Sequence, residues 1–257
     1  TQANFSAPGI YILQLSADDT EFVASEVLIV YVDVTCLIQI PDNAVAWWTG
    51  KFAITDFVNR LHDGFDMGGI AYVDGVVSLA YGFDGIDDGI FVLGTSSSDV
   101  GKSNGFTLEG WFRPDVLADM PLYEWSDGTT PGVSLSVGSN GQLNVSLPND
   151  AGTPVSVSFP GVFVAGQFRH VALNYRRTSG VIDVYVNSVL AGSQSVGSLR
   201  LKTRSDIWIG MSPDGTPAYY QGAIDELTLY AGALTQGQII GIYLSNDTGK
   251  CPFPDNL

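Results

Sequence analysis

The chain is expected to fold as an all-β sandwich with one short helix near its C-terminus and a β-hairpin segment at its front. Three observations predict this. Short runs of alternating apolar and polar residues recur along the chain, Gly, Asn, Asp and Ser punctuate them, and helical periodicity is almost absent. With 257 residues, 45% of them apolar, there is material for one large β domain plus a fragment.

Gly9 to Ser16 and Val23 to Val32 read as two strong strands around the acidic turn Ala17-Asp18-Asp19-Thr20. Two strands do not make a stable sandwich. They dock on the main domain, belong to a sheet whose other strands lie outside this sequence, or pair with another subunit. Gly132 to Val137 and Gln142 to Leu147 flank Ser139-Asn140-Gly141, where Asn-Gly supplies the positive φ of a tight hairpin. Phe168 to Tyr175 alternates His170, Ala172 and Asn174 against Val171, Leu173 and Tyr175. Val181 to Val186 then turns through Asn187-Ser188 into Val189 to Val196. Ser205 to Met211 and Gln221 to Tyr230 are further strands. Thr235 followed by Gln238 forms a capping box ahead of Ile239, Ile240, Ile242 and Tyr243, which predicts a short helix over an edge or end of the sandwich.

Charge narrows the partners. Lys and Arg total 11 against 27 Asp and Glu, a net charge of -16. Phosphate backbones and anionic lipid surfaces are repelled, so nucleic acid is not expected. No apolar run approaches the roughly 20 residues that span a bilayer. Thr1 opens without a charged-then-apolar leader, which puts any signal peptide outside the sequence. Cys36 and Cys251 bracket the main domain and lack the Cys and His companions that a zinc site needs. One disulfide and an oxidising, extracellular compartment are expected, with two buried thiols as the alternative. Closing so long a loop stabilises by about 5 kcal/mol in chain-entropy models.

From Phe83-Asp84-Gly85-Ile86-Asp87-Asp88 onward the sequence resembles the laminin-G-like, concanavalin A-like jelly-roll modules of secreted bacterial proteins. The likeness continues through Gly105-Phe106-Thr107-Leu108-Glu109-Gly110-Trp111-Phe112-Arg113-Pro114, Phe168-Arg169-His170-Val171, Val184-Tyr185-Val186-Asn187 and Ile207-Trp208-Ile209-Gly210. It closes with Gly222-Ala223-Ile224-Asp225-Glu226-Leu227 and Ala233-Leu234-Thr235. Val45-Ala46-Trp47-Trp48 looks like the family's opening strand, and flanking cysteines also occur in such modules. Three positions depart from the pattern. Lys51 stands where an acid is common, Gly89 where an aromatic is common, and Ser188 where the turn usually has Gly. The front segment resembles the last strands of an Ig-like or PKD-like domain, through Phe5 to Tyr11 and Leu15 to Asp19. The implied organisation is partial Ig-like strands over 1–35, a jelly-roll over 36–251 and a tail over 252–257.

The resemblance implies calcium at Asp84, Asp87 and Asp88, and at Asp225, since hard carboxylate oxygens suit that ion. The structural alternative is a solvated turn and a strand-end residue bonded to backbone. Glycan recognition needs flat aromatic faces beside polar partners. Trp47, Trp48, Trp125, Tyr219 and Tyr220 are candidates, with Trp48, Trp111 and Trp208 expected in the core. Trp125, Tyr219 and Tyr220, placed in loops beside Asp127 and Asp214, are expected at the surface.

No catalytic residues are assigned. The Glu-x-Asp-x-x-Glu motif of glycoside hydrolases sharing this jelly-roll is absent, and adjacent Asp225 and Glu226 are expected on opposite strand faces. His170 is expected to be a framework residue, and His62 has no nucleophile motif beside it. The expected function is a non-catalytic, secreted or cell-surface module for recognition or adhesion, binding a glycan or protein ligand with calcium support. The alternative is an assembly subunit of an extracellular filament, sheath or virion surface, in which residues 9–32 complete a sheet in a neighbouring copy.

Overall fold

The computed structural model describes residues 9–18, 23–32, 38–51, 53–149, 154–213 and 219–252. Its strands are β1 (Gly9–Asp18), β2 (Val23–Val32), β3 (Ile38–Gln39), β4 (Ala44–Trp48), β5 (Gly64–Met67), β6 (Ala71–Asp74), β7 (Leu79–Asp84), β8 (Gly89–Val92), β9 (Gly105–Pro114) and β10 (Met120–Ser126). They continue with β11 (Pro131–Val137), β12 (Leu143–Leu147), β13 (Val155–Phe159), β14 (Arg169–Arg176), β15 (Val181–Val186), β16 (Val189–Ser195), β17 (Asp206–Ile209), β18 (Gln221–Tyr230) and β19 (Lys250–Cys251), with helix α1 (Gln236–Ser245) before the last.

Two antiparallel sheets face each other. The front sheet runs β13-β12-β11-β10-β17-β8-β5, and the back sheet runs β16-β15-β14-β9-β18-β7-β6 with β4 also on β18. Alternation drives the packing. In β11, Val133, Leu135 and Val137 are buried while Ser134 and Ser136 face outward, and β12 repeats this with Leu143, Val145 and Leu147. The main core between the sheets gathers these with Phe106, Leu108 and Phe112 of β9 and Ile207 and Ile209 of β17. A second core lies on the outer side of the back sheet, where Ile239 and Ile242 of α1 pack with Ile40, Trp47 and Tyr230.

The predicted capping box starts α1: the Gln238 backbone N–H donates to Thr235 Oγ1 at 3.2 Å, and the Thr235 N–H donates to Gln238 Oε1 at 2.9 Å. The β15–β16 turn places Asn187 at φ 50° and Ser188 at φ 67°, so Ser188 adopts the left-handed backbone that glycine would take more readily. In the Asn140-Gly141 turn only Gly141 has a positive φ, at 74°, with the Phe163 carbonyl 2.5 Å from where its Cβ would be.

Two strand assignments differ from the sequence reading. Trp125, expected in a loop, lies in β10, where paired neighbours on both sides turn Tyr123 and Trp125 inward and Glu124 outward. Strand β18 carries a bulge: its register on β9 shifts between Asp225 and Thr228, and Glu226 sits at φ 56°. The bulge cancels strict alternation, so Asp225 and Glu226 do not take opposite faces. Asp225 stays level with Trp111, beneath α1, and Glu226 turns to Trp47 on the same side.

Strands β1 and β2 pair over their full length, from Gly9 with Val32 to Asp18 with Val23, as a sheet of their own. Among the described residues no strand of the sandwich pairs with them. Cys251 in β19 is buried and is not a free thiol, while Cys36 lies outside the described residues. No described helix is long and apolar enough to cross a membrane.

Candidate binding face

One line of residues crosses the outer side of the front sheet. Phe65, Phe91, Trp208, Glu124, Ser134, Ser146 and Ser156 are successive cross-strand partners from β5 to β13. The aromatic end is continuous: ring centroids are 6.1 Å apart for Phe65 and Phe91 and 4.8 Å apart for Phe91 and Trp208. Phe65 is 59% exposed. Phe91 and Trp208 are half-buried, so the exposed Phe65 ring is the one left in water, which forgoes about 1.5–3 kcal/mol of burial.

Beyond Glu124 the face becomes polar and almost uncharged. Ser134, Ser136, Asn144, Ser146, Ser156 and Ser158 border a shallow groove of about 300 Å³. Ser158 Oγ donates to Asn144 Oδ1 at 2.9 Å, and Ser212 Oγ donates to Glu124 Oε2 at 2.9 Å. Ring faces can stack on the C–H faces of a sugar, while hydroxyl, amide and carboxylate groups pair with its hydroxyls. The sequence reading missed this face and assigned Trp208 to the core. Ile207 and Ile209 fill the core instead, leaving Trp208 half-buried on the outer side, its Nε1 donating to the Ser126 carbonyl at 3.2 Å. Alternating serine and asparagine residues in three consecutive strands were the available signal of a polar outward face.

The residues proposed from sequence divide. Trp125 and Tyr220 are fully buried, so neither is a surface platform. Trp125 packs edge-on against Phe106 and Tyr123, and Tyr220 packs edge-on against Phe83 at 5.6 Å with its N–H on the Gly210 carbonyl. Trp47, also a candidate, belongs to the second core. Tyr219 is half-buried, Asp127 is exposed, and Asp214 lies outside the described residues.

Asp84, Asp87 and Asp88 converge, with one carboxylate oxygen of each within 4.8 Å of the others. Asp88 is the buried member, and its Oδ2 accepts the Asp84 backbone N–H at 2.9 Å. Burial pushes the Asp88 carboxyl upward, and the charges of Asp84, Asp87 and Asp66 add to that. Crowded hard carboxylate oxygens fit a calcium ion. Asp225 is not part of this group. Its Oδ2 accepts the backbone N–H groups of Val76 and Val77, both at 2.8 Å, and its Oδ1 is buried without a partner.

A buried ionic network underlies α1. Glu109 accepts from His170 Nε2 at 2.9 Å, Tyr230 Oη at 2.9 Å and Lys250 Nζ at 3.1 Å. Lys250 also reaches Glu226 Oε2 at 3.3 Å, and Trp47 Nε1 donates to the same oxygen at 3.0 Å. Burial opposes the Glu109 charge, yet Lys250 and His170 outweigh it and hold the carboxyl at about 2. His170 thus has the framework setting expected of it. His62 is also fully buried: its ring joins Asp56 Oδ2 at 3.2 Å to Thr95 and Ser97 hydroxyls at 2.9 and 3.1 Å. Asp56 Oδ1 meanwhile takes the backbone N–H groups of Trp47 and Val58, so this chain of bonds fastens loops together.

Comparison with known proteins agrees with the architecture. The family described as the concanavalin A-like lectin/glucanases superfamily matches residues 84–240. The binding domain of Paraclostridial Mosquitocidal Protein 1 superposes with a TM-score of 0.64 at 18% identity, over 79% of this chain and 52% of that one. Domain 4 of AbnA, a GH43 extracellular arabinanase from Geobacillus stearothermophilus solved with arabinotriose, gives 0.61 at 21% identity over 77% and 97% of the two chains. The binding domain of botulinum neurotoxin DC, solved with rat synaptotagmin II, gives 0.64 at 14% over 79% and 52%. The match thus spans about half the length of these toxin binding domains. No curated protein sequence matches the chain.

Proposed function

Because this chain belongs to the concanavalin A-like lectin/glucanases superfamily, we propose that it is a secreted recognition module that binds a glycan along the outer side of its front sheet. The aromatic-to-serine line from Phe65 to Ser156 carries this reading. The arabinotriose complex of the arabinanase domain is a precedent on the same fold for a saccharide ligand, and fold alone assigns no ligand. Phe65, Phe91 and Trp208 would stack on sugar rings, with Glu124 and the serine and asparagine groups orienting them.

Calcium is part of the proposal, held by Asp84, Asp87 and Asp88, where its charge would relieve carboxylate repulsion and stiffen the β7–β8 turn. Glycan-array binding followed by calorimetry at low and millimolar calcium tests both parts. Phe65→Ala removes an exposed ring without opening the core and is expected to weaken the best array ligand about tenfold, near 1.4 kcal/mol. Millimolar calcium is expected to raise the melting temperature of the wild type and not of Asp87→Asn. A blank array, or unchanged affinity in Phe65→Ala, would sink the glycan reading; equal thermal shifts in the two proteins would sink the calcium site.

The separate β1–β2 sheet favours a second reading, assembly between copies through residues 9–32, because its outer edges have no described strand partner. Deleting residues 1–35 is expected to abolish oligomers on size exclusion while the sandwich stays folded. A monomeric full chain, or oligomers that survive the deletion, would refute it.

A further inference from the structure

One charge feature of the chain runs against its overall sign. Of 11 Lys and Arg residues in a chain of net charge -16, Lys102, Arg200, Lys202 and Arg204 border a single cavity of about 300 Å³. Two carboxylates, Asp99 and Asp127, share that lining, so cations outnumber anions two to one there. Both acids are already engaged. Asp99 accepts from Thr203 Oγ1 at 2.9 Å and pairs with Lys102 at 2.7 Å. Asp127 Oδ1 takes the Thr129 hydroxyl and the backbone N–H groups of Thr129 and Thr130.

The cations are presented by a rigid strip. In Arg200-Leu201-Lys202-Thr203-Arg204 the even positions are exposed, whereas Leu201 and Thr203 are buried at 5% and 0% exposure. The strip is pinned by its backbone: Lys202 N–H donates to the Pro148 carbonyl at 3.1 Å, and the Lys202 carbonyl accepts from Val133 at 3.2 Å. Among the described residues neither Lys202 nor Arg204 has an ion-pair partner, so two of the four cations are available. A second cavity of about 360 Å³ adjoins the first, sharing Asp127, Arg204 and Ser205, and extends to Asp206. Asp206 opens β17 opposite Ser126, whose carbonyl holds the Trp208 indole. The basic cleft therefore lies beside the aromatic row, two residues along β17 from Trp208, across a second cavity where Asp127 and Asp206 flank Arg204.

We infer that this cleft seats the anionic substituents, carboxylate or sulfate ester, of an acidic saccharide whose rings lie on the aromatic row. The inference rests on the glycan reading above and specifies its ligand class. The overall negative charge repels polyanions at long range, and that repulsion is screened beyond about 10 Å at 0.1 M salt, whereas contacts inside the cleft persist. Lys202 and Arg204 thus supply a local charge preference, the guanidinium fork suiting planar carboxylate and sulfate oxygens alike.

The test titrates the full chain with three probes: an oligogalacturonate, its carboxyl-reduced neutral counterpart, and a heparin-derived sulfated oligosaccharide. At least one charged probe is expected to bind tenfold or more tightly than the neutral one at about 0.1 M salt, where long-range repulsion is screened, with the advantage vanishing in molar salt. The double variant Lys202→Ala/Arg204→Ala is expected to lose that advantage and keep the neutral affinity and melting temperature of the wild type. Phe65→Ala is expected to weaken every probe. Preference for the uronate or for the sulfated probe identifies the anion. Equal binding of neutral and charged probes, or a preference that survives the double variant, overturns the cleft while Phe65-dependent binding upholds the glycan face. Absence of binding to all three probes overturns the cleft for these ligands; a blank glycan array in addition removes the reading beneath it.

Discussion

Lys250→Met is expected to destabilise the fold by about 3–5 kcal/mol, read as a drop in the urea midpoint at unchanged slope. The ammonium is 2% exposed and is shared by two carboxylates that are equally buried. Burial alone would lower the Lys250 pKa, but Glu109 and Glu226 outweigh it and raise it. Removing the cation leaves Glu109 and Glu226 facing each other in a low-dielectric pocket sealed by Trp47, whose ring lies 5.3 Å from the Lys250 nitrogen. Adding Glu226→Gln to Lys250→Met is expected to recover part of the loss, because one stranded charge disappears. A single-variant loss under about 1 kcal/mol, the size of an exposed ion pair, would refute the buried-clamp account.

Asp225→Asn is expected to remove a pH dependence of stability that the wild type carries between mildly acidic and neutral pH. Burial, and then the Glu226 charge beside it, raise the Asp225 carboxyl from 3.8 to about 7. The folded chain therefore keeps a proton that the unfolded chain releases above 3.8. Stability from this group is greatest below 3.8, falls as pH rises, and the loss is complete above about 7. The whole effect is about 4 kcal/mol. An asparagine carbonyl can still accept the Val76 and Val77 N–H groups without the charge. The variant should thus melt higher than the wild type near pH 8, by less near pH 5, and close to it only below 3.8, where the carboxyl is protonated in both states. Parallel pH profiles in chelator would refute the protonated-carboxyl assignment. A calcium-dependent rise in melting temperature that Asp225→Asn alone abolishes would give Asp225 the ligand role that resemblance implies.

Much of the fold was legible because it depends on local pattern. The strands from β14 to β18 were anticipated to within a residue or two of their observed ends, as was the helix start at Thr235. Each is bounded by a turn or cap chemistry that acts within a few residues. Strand β10 was not anticipated, because Pro121 and Glu124 interrupt its apolar residues and only pairing with β11 and β17 reveals which side faces inward. The adjacent acids of β18 were misassigned for a related reason. Alternation holds until a bulge adds a residue, and the bulge, with Glu226 in left-handed backbone, leaves no mark in any apolar period.

The candidate sites divide along the same boundary. By itself the sequence determined the all-β sandwich, its helix, the acidic turn at Asp84, Asp87 and Asp88, and the lack of a hydrolase carboxylate motif. Those features are written in neighbouring residues, where periodicity, turn chemistry and spacing operate. Only the tertiary structure decided that Trp125 and Tyr220 are core, that exposed Phe65 and half-buried Phe91 and Trp208 share one outward-facing row, and that Lys102 joins Arg200, Lys202 and Arg204 across the fold. These relations join strands far apart in the chain through sheet register. Register is set by the summed burial of whole strand faces, which no local window of residues contains.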